Sequence, residues 1–208
     1  MIITELRPNG RGKRLVFLDG EAAFCLTASE TEEYGLSEGA DLSGSLYELL
    51  LKEVLYKRCK SRVLHLLDRA DRTESEIRKR LSEEYYPESV IDATVEAAKN
   101  GRYLDDERYA NQYVYEKSRR KSRRMIRAEL ESKGLDRELI DKALSEIPEE
   151  EEEAVIEREL LKKTGGRLSE DYNEKQKLLA ALSRKGFEPG RCVKVYERLL
   201  ERGAETDL

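Results

Sequence analysis

One apolar pattern is written three times in this 208-residue chain. Around Ile77 it reads IRKRLSEEYYPESVIDATVE, around Ile126 IRAELESKGLDRELIDKALS, and around Leu178 LLAALSRKGFEPGRCVKVYE. In register, Ile77 matches Ile126 and Leu178, and Leu81 matches Leu130 and Leu182. Tyr86 matches Leu135 and Phe187, and Val95 matches Leu144 and Tyr196. A period of roughly 50 residues is that of tandem structural repeats. Such repeats bury a continuous core by stacking, which makes a scaffold that holds a partner more readily than a pocket that transforms a substrate. The pattern therefore predicts a mainly α chain of three tandem three-helix repeats in a curved array.

Ahead of the repeats the period changes. Ile2–Leu6, Leu15–Leu18 and Ala22–Leu26 are short apolar runs separated by Pro8-Asn9-Gly10-Arg11-Gly12 and by Asp19-Gly20. Asp-Gly between two apolar runs signals a hairpin, because both central residues of a type I′ turn need φ > 0. Three antiparallel strands are expected, followed by a short helix capped by Ser29 with Glu32. The expected division is a β-rich segment at 1–42, a connecting helix at 43–56, repeats at 57–101, 102–147 and 148–203, and a frayed tail at 204–208. A break or bend is expected before Ser61, and the helix after it is expected to bury Val63, Leu64 and Leu67. Thr73 and Glu76 form a second capping box, and Pro87 suits a helix's first turn. Gly134 and Gly186 supply left-handed residues at the tight turns of units two and three. Unit one carries Tyr85 there, so either the turn has another geometry, which is the expectation preferred, or Tyr85 carries strain of about 1 kcal/mol.

Charged residues make up 40% of the chain and the net charge is −5, but the charge is segregated. Lys117–Arg127 (KSRRKSRRMIR) holds seven cations and no acid, whereas Glu149–Glu153 is unbroken acid. Fields are confined to roughly 8–10 Å by cellular salt, so this local distribution matters more than the sum. On a helix Arg120, Arg123, Arg124 and Arg127 would share a face. With Lys117, Arg119 and Lys121 they form the leading candidate for an anionic partner, either a DNA backbone or an acidic protein patch. The alternative is a solvated joint balanced by acids such as Glu149–Glu153. Arg72, Arg78, Lys79 and Arg80 form a second cluster, interleaved with acids that can neutralise it. Tyr115 lies off the core face of its helix and is free to stack on bases, whereas Tyr109 and Tyr113 have core spacing.

Other chemistries find no pattern. Asp105-Asp106-Glu107 reads as a helix start. His65 is the only histidine, and Cys25, Cys59 and Cys192 form no CxxC pair. No catalytic residues, metal ligands or cofactor are expected, and three scattered cysteines fit free thiols in a reducing compartment. The N-terminus lacks the basic start and apolar stretch of a signal peptide, and no membrane-length apolar run occurs, so a cytoplasmic protein away from membranes is expected.

Three stretches carry a resemblance: RTESEIRKRL at Arg72–Leu81, GRYLDDERYANQYV at Gly101–Val114, and RAELESKGLDRELI at Arg127–Ile140. With the chain length and the repeats, they resemble the RecX family. FLDGEAAFCL at Phe17–Leu26 is similar to the β-rich extension of some members. The resemblance implies a modulator of the recombinase RecA. It would engage RecA filaments on single-stranded DNA and lower ATP hydrolysis and strand exchange in recombination and repair. The repeats, the charge and the lack of a catalytic constellation make a non-enzymatic module the expectation, and a monomer is expected. A stand-alone nucleic-acid binder and a protein-docking adaptor without DNA contact are the alternatives. The chain departs from the family where many members carry glycine shortly before the RAEL-like stretch, at Ser122.

Overall fold

The computed structural model describes residues 1–206. It is mostly helical, with a small three-stranded antiparallel sheet at the N-terminus. The chain divides into two compact units, Met1–Asp105 and Asp106–Leu208.

In the first unit, strands β1 (Ile3–Pro8), β2 (Lys13–Leu18) and β3 (Glu21–Thr27) pair in the order β1-β2-β3. The β2–β3 turn has φ of 51° at Asp19 and 93° at Gly20, as a type I′ turn requires. Helix α1 (Ala28–Glu33) starts two residues earlier than expected. Its N-cap is Thr27, whose hydroxyl accepts from the Glu30 amide while the Glu30 carboxylate accepts from the Thr27 amide. Ser29 and Glu32 are therefore not the capping pair. Thr27 ends a strand and already has the extended backbone an N-cap needs.

Ser43 caps α2 (Gly44–Leu49), which runs through a π-helical stretch, Leu50–Leu55, directly into α3 (Tyr56–Arg69). The expected break is thus a π turn inside one continuous rod, and residues 56 and 57, at the expected domain boundary, lie within it. The buried positions Leu50, Leu55, Cys59, Val63 and Leu66 show the cause. The step of five residues across the π turn re-phases the apolar stripe, which then continues at helical spacing. That phase turns Leu64 outward and leaves Leu67 half-buried, so Leu66 takes the core place expected of them.

Helix α4 (Glu74–Glu83) has the expected Thr73/Glu76 capping box. Helix α5 (Glu88–Asn100) has Pro87 as its N-cap rather than inside its first turn. Tyr85 corrects the sequence reading. It adopts φ = 60°, the same left-handed turn as Gly134 (78°) and Gly186 (83°). One apolar cluster joins Val16 and Phe24 of the sheet, Leu50, Leu55 and Val63 of the rod, and Ile77, Leu81, Ile91 and Val95.

The second unit contains two helix triplets. Helices α6 (Asp106–Ser118), α7 (Arg123–Ser132) and α8 (Arg137–Ser145) enclose Ala110, Val114, Ile126, Leu130, Ile140 and Leu144. Helices α9 (Glu149–Thr164), α10 (Tyr172–Arg184) and α11 (Pro189–Thr206) enclose Ile156, Leu160, Leu182, Phe187, Val195 and Tyr196. The tail expected to fray from residue 204 is helical as far as Thr206; residues 207 and 208 lie outside the described residues. The three cysteines are free and buried, and burial pushes the Cys59 and Cys192 thiols up to about 11. Among the described residues no helix is long and apolar enough to cross a membrane, and no group of three His, Cys, Asp or Glu could hold a metal ion.

Candidate functional site

The basic run Lys117–Arg127 does not form one helical face. α6 ends at Ser118, residues 119–122 turn, and α7 begins at Arg123. The amides of Arg120 and Lys121 close α6 by donating to the Lys117 carbonyl, each at 2.9 Å. Arg120 therefore sits in a turn, and its 3/4 spacing to Arg123, Arg124 and Arg127 does not place it beside them.

Ser122 organises this joint. Its hydroxyl caps α7 by accepting from the Met125 amide at 3.2 Å, and donates to the Lys185 carbonyl at 2.7 Å. Beside it, the buried Glu152 carboxylate accepts from the Arg123 amide at 2.9 Å, which opposes the partial positive charge of the helix N-terminus. The Arg123 guanidinium also turns inward and donates to the Ile147 carbonyl at 2.5 Å. Arg191 approaches the same Glu152 carboxylate at 3.6 Å. The neighbouring acids are similarly engaged. Glu151 accepts from the Ser118 hydroxyl at 3.0 Å, and Glu153 from Arg198 at 2.7 Å. Much of the acidic run thus serves its own unit.

Three more cations of the run have protein partners. Lys121 pairs with Glu129, which also accepts from the Tyr113 hydroxyl at 2.8 Å. Burial acts to raise the Glu129 carboxyl, but the bonds from Lys121 and Tyr113 outweigh it and the carboxyl lies below its ordinary value. Burial and the bond to Glu129 push Tyr113 up to about 12. Arg127 pairs with Asp141 across α7 and α8. Lys117 lies 5.5 Å from the centre of the Tyr113 ring. Tyr109 and Tyr113 stack at 6.0 Å and are half-buried.

What remains is narrower than the sequence implied. Arg119, Arg120 and Arg124 are exposed and have no ion pair among the described residues. The Arg119 guanidinium lies 5.3 Å from the centre of the Tyr115 ring, and that tyrosine is 63% exposed. An arginine fork beside an aromatic face can take a phosphate and a base together.

The second cluster lies in the other unit, and two of its four cations, Arg78 and Arg80, are neutralised. Arg78 reaches Glu74 at 2.8 Å, Asp92 at 2.7 Å and Glu88 at 3.3 Å, tying α4 to α5. Arg80 reaches Glu84 at 2.9 Å. Arg72 is half-buried, and Lys79 is exposed without an ion pair among the described residues.

This joint lies in a matched segment. The model for the second three-helix domain of RecX matches residues 105–144, and that for the first three-helix domain matches 59–96. The regulatory protein RecX of Caldanaerobacter subterraneus subsp. tengcongensis is 32% identical over 190 residues, covering 90% of this chain and 94% of that protein. The chain belongs to the RecX family. The regulatory protein RecX of Clostridium beijerinckii is 28% identical over 151 residues, covering 73% of this chain and 71% of the other. A crystal structure of a regulatory protein RecX aligns with TM-score 0.63 and 26% identity over 96% of this chain and 98% of that one. RecX from Lactobacillus salivarius aligns with TM-score 0.62 and 20% identity over 70% of this chain and 96% of that one, and so shares the fold. RecX relatives are named as regulatory proteins, and this chain carries that regulatory character. Glu152 and Ser122 are the joint's organisers, and their partners lie 29 and 63 residues away, beyond any local sequence signal.

Proposed function

We propose that this chain is a cytoplasmic, monomeric, non-catalytic regulator that binds RecA filaments on single-stranded DNA and lowers their ATPase and strand-exchange activity. In this reading the repeats at 57–101, 102–147 and 148–203 are the scaffold. Arg119, Arg120 and Arg124, with Tyr115, make the anionic contact. Membership of a family whose relatives are called regulatory proteins supports the role. The observation that carries the contact is the pair of exposed, unpaired arginines Arg120 and Arg124, which flank a Ser122 held by the fold. Lys121, Arg123 and Arg127 already have partners and serve the joint itself.

The test is RecA ATPase on single-stranded DNA with and without the full chain. Wild type is expected to lower the rate, and R120E/R124E to lose about tenfold or more of its inhibitory potency while keeping its helical circular dichroism. Unchanged potency overturns the contact. A wild-type chain without effect on the filament overturns the role. Equal affinity for bare DNA and for the filament would instead favour a stand-alone nucleic-acid binder.

A further inference from the structure

The β1–β2 hairpin carries a second charge segregation, in the unit that lacks the joint. From Leu6 to Leu18 the chain contains Arg7, Arg11, Lys13 and Arg14 and no acid, within a chain of net charge −5. Arg7 is held by Glu5 at 2.8 Å. Arg11, Lys13 and Arg14 have no ion pair among the described residues, and Arg11 and Lys13 are exposed. Gly10 and Gly12, at φ 71° and 69°, shape the turn, with Arg11 between them and Lys13 and the half-buried Arg14 at the start of β2.

Aromatic faces accompany them. The exposed Arg7 guanidinium lies 4.5 Å from the centre of the half-buried Phe17 ring. The end of α4 shares its core with the hairpin: Leu81 lies in one apolar cluster with Val16, and Leu6 and Tyr86 pack against that cluster. Tyr85 is 40% exposed and holds a left-handed backbone that disfavours a tyrosine. The matching positions in the other two turns are glycine, so the turn itself does not need this ring. Strain kept at an exposed aromatic is the kind of outlier that points to a contact.

We infer that the hairpin tip (Arg11, Lys13, Arg14), the Arg7–Phe17 stack and the exposed Tyr85 form a binding surface for single-stranded nucleic acid, separate from the α6–α7 joint. The unpaired cations meet phosphates, and the guanidinium and phenol faces meet bases, whichever bases they are. An acidic peptide would satisfy the cations but would leave the exposed ring without a partner. This contact needs no RecA.

The test uses the full chain and a fluorescein-labelled oligothymidylate, with affinity read by anisotropy across a salt series. R11Q/K13Q/R14Q removes three charges without introducing an acid. It is expected to weaken binding roughly tenfold at low salt and to reduce the salt slope by about 2, at about 0.7 per phosphate contact on a single strand. Y85G keeps the left-handed turn, so it is expected to retain its melting temperature while losing several-fold in affinity. Unchanged affinity and slope in the triple variant overturn the inference. So does an unchanged DNA affinity accompanied by lost filament inhibition, which would assign the tip to an acidic protein surface. R120E/R124E, measured in parallel, reports on the joint alone, so failure of one site is distinguishable from failure of the other.

Discussion

At the scale of the residue, Gly186 is constrained twice over. Its φ of 83° disfavours any side chain, and an added Cβ would lie 2.8 Å from the Ser122 hydroxyl oxygen that bridges α7 to the Lys185 carbonyl. Gly186→Ala is therefore expected to destabilise the chain by about 2 kcal/mol, part from the left-handed backbone and part from the collision. Adding Ser122→Gly should return only the collision part, since it also removes an N-cap and a hydrogen bond. Urea unfolding of both variants checks this; a Gly186→Ala change within about 0.3 kcal/mol of wild type would refute it. The same turn shows why Tyr85 misled. In all three repeats the residue after the left-handed position donates its amide back to the helix: Tyr86 to Leu81 at 3.1 Å, Leu135 to Leu130 at 3.3 Å, Phe187 to Leu182 at 3.2 Å. Each then buries its side chain wholly or partly in the core. Docking of that next residue dictates the turn, and the preference of tyrosine against left-handed backbone is overridden. The apolar register of the repeats therefore predicted the turn better than the residue occupying it.

At the scale of the element, α4 is pinned to α3 by Arg62, whose guanidinium donates to both Glu84 oxygens, at 2.6 Å and 3.0 Å. Burial acts to raise the Glu84 carboxyl, but the Arg62 hydrogen bonds, with the charges of Arg62 and Arg80, prevail and hold it below its ordinary value. A folded-state value below the unfolded one stabilises the fold above the ordinary carboxylate range. That contribution is lost as pH falls through the folded value. The first unit is expected to lose stability on acidification below about pH 5. Arg62→Met is expected to cost about 2 kcal/mol near neutrality and to flatten the acid limb. Parallel pH profiles for wild type and variant would remove Arg62 from the account. Elements were legible where apolar period and punctuation agree, as in α4, α7 and α8. The basic joint was not, because a run of arginines at 3/4 spacing looks alike on a helix and across a turn. The discriminating facts, Ser122 reaching Lys185 and Glu152 reaching Arg123, are long-range and leave no local trace in the sequence.

At the scale of the whole molecule, the three sequence repeats do not map one-to-one onto cores. The first repeat shares a single apolar cluster with the sheet and the rod, running from Ile3 to Leu104. The second and third repeats keep separate clusters, and polar bonds through Ser122, Glu152 and Arg191 connect their triplets. Each of the two units, Met1–Asp105 and Asp106–Leu208, thus owns all the apolar clusters it contains. At about 100 residues each lies within the size range of autonomous domains. Fragments 1–105 and 106–208 are expected to fold separately, each with helical circular dichroism and a cooperative melt. Their summed spectra should reproduce that of the full chain. The division also sorts the two proposed contacts, the joint going with 106–208 and the hairpin with 1–105. If both contacts operate, each fragment should bind single-stranded DNA more weakly than the intact chain, because tethering raises the effective concentration of the second contact once the first is made. A fragment without a cooperative transition would show that its core needs the other unit. Two folded fragments whose DNA affinities already equal that of the intact chain would show that the contacts do not act together.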